Sequence, residues 1–171
     1  MIPLVFAPQE PKKREKTLFW GLLILGLGAT LVARIPEILF PAGLQMVGAV
    51  ALVCAAMIFT QCLLRRYVYR VEMGENGTAT TGYPDFTVTE YTGNRMRVVC
   101  RISVDEVESV ERITTENKER LTKEMQGHPR YRYTGVLFSE NVYLLRIRGS
   151  GEYTYLQILA NKDLIDALLR R

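Results

Sequence analysis

TLFWGLLILGLGATLVA (17–33) and ILFPAGLQMVGAVALVCAAMIFTQCLL (38–64), separated by Arg34-Ile35-Pro36-Glu37, decide how this chain is built. Neither run contains a charged residue or a polar stripe at helical spacing, so each is apolar all round, a pattern suited to lipid. As helices they would be ~25 Å and ~40 Å long at 1.5 Å per residue, commensurate with the ~30 Å hydrocarbon core of a bilayer. A soluble core large enough to hide two such helices cannot be drawn from the rest of the chain. The expectation is a transmembrane hairpin. Pro36 lacks an amide donor and restricts its neighbour, which suits a turn, and Pro41 falls in the first turn of the second helix, where a missing donor is tolerated.

Charge sets the expected orientation. Lys12, Lys13, Arg14 and Lys16 precede the first run, and Arg65 and Arg66 follow the second, whereas Arg34 in the connection is offset by Glu37. Basic flanks stay in the cytoplasm, which places both termini inside a cell membrane that the chain crosses twice. A cleaved signal peptide fits less well, because the apolar run is long and a second follows at once. Residues 1–66 hold seven Lys and Arg against three Asp and Glu, and residues 67–171 hold fifteen of each, so the net charge of +4 belongs to the anchor. The basic pI therefore gives no support to nucleic-acid binding. The expected organisation is an N-terminal cytoplasmic tail (1–16, its first residues loose), the hairpin (17–64) and a cytoplasmic domain (65–171).

Within the apolar runs, Gly21, Gly26 and Gly28 are set against Gly43, Gly48 and several alanines. Small residues let helices approach closely, so these glycines are the candidate packing positions, within the hairpin or with a second copy. Gln45 and Gln61 are the only amides there, too few for a transport pathway.

After Arg66 the pattern becomes that of strands. YVYRVE (67–72) precedes a loop, GENGTATTGYP (74–84). DFTVTEYT (85–92) and RMRVVCRISV (95–104) form a hairpin about Gly93-Asn94. Met96, Val98, Cys100 and Ile102 alternate with Arg95, Arg97 and Arg101 and form one apolar face of the second strand. A two-residue turn would pair Glu90 with Arg97 but set Phe86 against Arg101, whereas a three-residue turn including Arg95 would set Phe86 against Ile102 and Val88 against Cys100. The second is preferred because it buries apolar residues on one face. VESVERIT (107–114), YRYTGVLF (131–138), VYLLRIR (142–148) and EYTYLQILA (152–160) complete seven strands, with turns at Ser139-Glu140-Asn141 and Gly149-Ser150-Gly151. Asn161 is placed to cap a final helix, KDLIDALLRR, whose Leu164, Ile165 and Leu168 form an apolar stripe and whose Arg170 and Arg171 suit its C-terminus. The charged segment TENKERLTKEMQGHPR (115–130) reads as an exposed loop or short surface helix with Leu121 and Met125 on one side.

Seven strands closed by one helix is the order of a pleckstrin-homology (PH) barrel. RISVDEVESVERI (101–113) resembles the strand–turn–strand of bacterial PH domains, LQILANKDLIDALL (156–169) resembles their last strand and closing helix, and the whole resembles small bacterial membrane proteins with two spans and a PH domain. The resemblance implies a membrane α-helical hairpin plus an all-β PH-like barrel. Some PH domains bind phosphoinositides through basic residues around the first hairpin loop; residues 74–84 contain none, so those ligand positions do not carry over.

Candidate chemistry is sparse. The one histidine, His128, lies in a Gly-His-Pro-Arg loop without an orienting partner. Asp105, Glu106, Glu108 and Glu111 read as a solvated face. Cys54, Cys62 and Cys100 have no metal-ligand spacing; Cys54 and Cys62 are ~12 Å apart along a helix, too far to bridge. No cofactor, metal site, catalytic residue or small-molecule substrate is expected. Three functions remain open: an interaction or assembly module that binds a protein or a second copy, a subunit of a larger membrane complex, and a binder of anionic headgroups. The longest connection after the anchor, 115–130, reads either as a tolerated surface insertion, since long loops cost little entropy, or as a docking loop with Leu121 and Met125 as its apolar contacts.

Overall fold

The computed structural model describes residues 4–8, 12–35, 40–72, 84–137, 139, 141–149 and 151–169. The turn at Pro36, most of the 74–84 loop, Glu140, Ser150 and the two terminal arginines lie outside them. Two compact units are present, one of Met1–Glu10, Arg66–Thr134 and Ser139–Arg171, the other of Pro11–Arg65 and Gly135–Phe138.

The second unit is the apolar hairpin. Helix α1 covers Lys13–Val32 and helix α2 covers Pro41–Ile58, with Pro41 in the first turn as expected. α2 continues as a π-helical turn, Phe59–Leu63, in which the Leu64 amide donates to Phe59 O at 2.9 Å. Both helices, the second taken through its π-helical turn to Leu63, are long and apolar enough to cross a membrane, and most of their surface is exposed.

Among the described residues the first unit contains eight strands in two four-stranded sheets rather than seven in a barrel, and no closed barrel forms. Sheet A comprises β1 (Leu4–Phe6), β2 (Arg65–Glu72), β3 (Asp85–Thr92) and β4 (Arg95–Ser103), in that order. Part of the expected loose tail is thus a strand. Val5 pairs with Arg70, and Phe6, opposite Tyr69, stacks on that ring at 6.2 Å. Tyr69 in turn stacks on Phe86 at 6.2 Å, so three rings cross the buried face of the sheet. The energetic reason is burial: three residues of tail gain ladder bonds and bring an aromatic ring onto an otherwise open edge.

The β3–β4 hairpin adopts both of the registers considered. Next to the turn Glu90 pairs with Arg97 and Thr92 with Arg95, the two-residue arrangement; Gly93 supplies the positive φ of +58° that the first turn position of a type II′ turn needs. Beyond an irregularity at Val88/Thr89, Val88 pairs with Cys100 and Phe86 with Ile102. Val99 is the extra, bulged residue, and a bulge reverses which side chains face inward. Cys100 and Ile102 stay on the face of Phe86 and Val88, while Met96 and Val98, expected on that same apolar face, turn outward and are 65% and 53% exposed.

Sheet B comprises β5 (Val107–Arg112), β7 (Val142–Arg148), β8 (Tyr153–Leu159) and β6 (Arg130–Arg132), with β6 parallel to β8. The strand expected over 131–138 is therefore cut to three residues. After it the chain passes through Gly135 at φ +61°, and Gly135–Phe138 belongs to the hairpin's unit. The Tyr69 phenol bridges the two sheets: its hydroxyl donates to Tyr133 O and accepts from the Leu159 amide at 3.2 Å. The final helix, α4 (Lys162–Leu169), is capped by Asn161, whose Oδ1 accepts from the Leu164 amide at 3.0 Å; Leu164 and Leu168 are buried.

Candidate functional site

The 115–130 segment contains helix α3, Lys118–Glu124. Leu121 and Met125 are 2% and 6% exposed and pack with Leu144 and Tyr155, beside Ile113 and Tyr153. This corrects the expectation that they are free for a partner. Consecutive strand residues point to opposite faces, so burying both Leu144 and Leu145 requires cover on both sides of sheet B, and α3 provides it for Leu144. Ion pairs join the helix to the sheet: Arg146 on β7 meets Glu124 at 3.1 Å and Arg120 pairs with Glu111 on β5. Arg146 also meets Glu108 of the neighbouring strand at 3.1 Å, with its guanidinium 3.9 Å from the centroid of the Tyr153 ring.

The other singled-out groups disperse. His128 packs against the rings of Tyr155 at 5.8 Å and Tyr153 at 6.3 Å rather than standing in solvent. Asp105 and Glu106 lie in a 3-10 turn, apart from the ion-paired Glu108 and Glu111. The cysteines are free thiols, Cys54 exposed, Cys62 buried and Cys100 between these; burial pushes the Cys100 thiol up. Tyr133, whose hydroxyl donates to the bulged Val99 carbonyl at 3.3 Å, is pushed up to about 12, first by burial and then by nearby Cys100 and Tyr131.

Convergent geometry is found instead in the hairpin unit. Of the five glycines, two make the crossing. A Cβ on Gly26 would lie 2.7 Å from Leu52 Cγ and 3.1 Å from Gly48 O; one on Gly48 would lie 2.7 Å from Thr30 Oγ1 and 3.0 Å from Gly26 O. Thr30 Oγ1 donates to Gly26 O at 2.8 Å, filling the space beside Gly48. Gly21, Gly28 and Gly43 face open space and do not take part.

At the base of the hairpin the N-terminus of α1 meets the C-terminus of the second helix. The Lys12 ammonium donates to the carbonyls of Cys62 and, at 2.8 Å, Arg65. A cation on the last carbonyls of a helix complements its dipole, and the sequence had shown Lys12 only as one of a basic cluster. Glu15, one turn further, is buried and accepts from the Leu137 amide at 3.0 Å. Next to it, an open groove of about 550 Å³ is lined by Lys13, Arg14, Thr17, Leu18, Gly21 and Leu22.

No family model, curated protein or solved structure matches this chain.

Proposed function

We propose that the chain is an integral membrane protein whose hairpin anchors a cytoplasmic, PH-like, non-catalytic interaction or assembly module in a bacterial cell membrane. The observation that carries the anchor reading is the exposure of the helices: Ile24, Leu31, Phe40, Met46, Val50 and Val53 all project uncovered. A core helix of a soluble protein hides such residues, whereas lipid solvates them. The Lys12 bridge supports a hairpin with both basic ends on one side, which the positive-inside rule puts in the cytoplasm. Two four-stranded sheets followed by a capped C-terminal helix support the PH-like reading, with β1 and the parallel β6 as departures from a plain meander. An interaction role is favoured over chemistry by the dispersal of His128 and the acidic residues into packing and ion pairs.

A second reading, as a subunit of a larger membrane complex, draws on Gly21, Gly28 and Gly43, which leave smooth, uncovered patches on both helices. Crosslinking in native membranes followed by identification of attached chains separates the two. A homomeric ladder supports self-assembly, a distinct integral subunit supports the complex, and a chain that forms no adduct refutes both. Reporter fusions test the topology: one at Arg171 should behave as cytoplasmic and one at Pro36 as external, and an external C-terminus would overturn the orientation.

A further inference from the structure

We propose that the groove at the start of α1 is a slot for one anionic phospholipid, an inference that rests on the membrane-anchor reading. The lining residues fall in two rows along the helix, Lys13–Thr17–Gly21 and Arg14–Leu18–Leu22, each stepping by four residues. Such rows run nearly parallel to the axis, so the groove extends ~13 Å with both cations at one end and Leu18, Gly21 and Leu22 at the other. That polarity matches a phosphate continued by an acyl chain.

The cations are available. Neither Lys13 nor Arg14 makes an ion pair among the described residues. The nearest acid in sequence, Glu15, projects ~110° round the helix from the middle of the groove and is engaged by the Leu137 amide. Thr17 spends its hydroxyl hydrogen on Lys13 O at 3.0 Å, so it offers a phosphate no donor. Recognition at the mouth therefore falls to the Lys13 ammonium and the Arg14 guanidinium, which offer charge and charge-assisted hydrogen bonds to a phosphate, and selectivity for a lipid over a free anion comes from the apolar floor. Gly21 forms that floor: a Cβ there would meet nothing within 4 Å, so the space above it is open.

The test is native mass spectrometry of the full chain, released from detergent micelles in the presence of phosphatidylglycerol or phosphatidylcholine. One phosphatidylglycerol should be retained per chain with about a thirty-fold preference, the ratio that two cations at ~1 kcal/mol each convert to. Lys13→Gln with Arg14→Gln should remove the preference. Gly21→Leu, whose side chain enters open space, should reduce retention of both lipids while the circular dichroism spectrum is unchanged. Equal retention of the two lipids, retention indifferent to these variants, or displacement by millimolar inorganic phosphate would each overturn the slot. Alkaline carbonate extraction is run in parallel: a chain that stays in the membrane yet fails the retention test refutes the slot alone, and one that is released refutes the anchor.

Discussion

Replacing Gly48 by alanine adds one methyl group at the tightest point of the helix crossing. The added carbon would stand 2.7 Å from Thr30 Oγ1, 3.0 Å from Gly26 O and 3.3 Å from the Thr30 amide nitrogen. Two of these three neighbours are backbone atoms and cannot turn aside. The third can rotate only by giving up its 2.8 Å bond to Gly26 O. The helices must therefore separate by several tenths of an ångström, losing contact along their length. Overpacking of this kind costs about 1–3 kcal/mol, roughly a tenfold shift in the packed population for each 1.4 kcal/mol. Gly28→Ala is the control, since its Cβ meets nothing within 4 Å; alanine's helix propensity should leave that variant unchanged or up to ~1 kcal/mol more stable. Reversible unfolding of the full chain in mixed dodecyl maltoside and SDS micelles reads both. If Gly48→Ala and Gly28→Ala unfold at the same SDS fraction, the crossing is not where the structure places it.

Lys12→Met, which removes the cation from the carbonyls of Cys62 and Arg65, should cost about 1 kcal/mol and lower the melting temperature in detergent by a few degrees, whereas Lys16→Met should not. Leu121→Ala should destabilise the sheet unit by about 2–5 kcal/mol through loss of packing on Leu144 and Tyr155, read as an earlier urea transition of tyrosine fluorescence; a change below 0.5 kcal/mol, about the size of an ordinary surface substitution, would return that residue to the surface. Tyr133, with its folded pKa raised to about 12 from the ordinary 10.0, keeps its proton longer when folded than when unfolded. Its contribution to stability is therefore complete below pH 10 and is lost as pH climbs towards 12. Absorbance titration at 295 nm should show a late-ionising phenol that disappears in Tyr133→Phe, and an unchanged titration in that variant would contradict the assignment.

The sequence by itself determined the elements whose cause is local or averaged over many residues. Two uncharged runs give two long apolar helices wherever the rest of the chain goes. Gly93-Asn94 places a turn because a positive φ there suits glycine, and Asn161 caps a helix through a bond to a residue three positions on. Tertiary structure decided whatever depended on a distant partner. Phe6 becomes part of a strand because Tyr69 offers a ring to stack on, and Met96 and Val98 leave the core because one bulged residue, Val99, reverses the alternation that assigned them there. Leu121 and Met125 looked like a surface stripe because their cover, Leu144 and Tyr155, comes from strands later in the chain; the adjacent Leu144-Leu145 pair was the available sign that sheet B is covered on both faces. The five glycines were alike as sequence. Helix rotation about the crossing made Gly26 and Gly48 contacts and left the other three open, because small residues permit close approach without specifying which face turns inward.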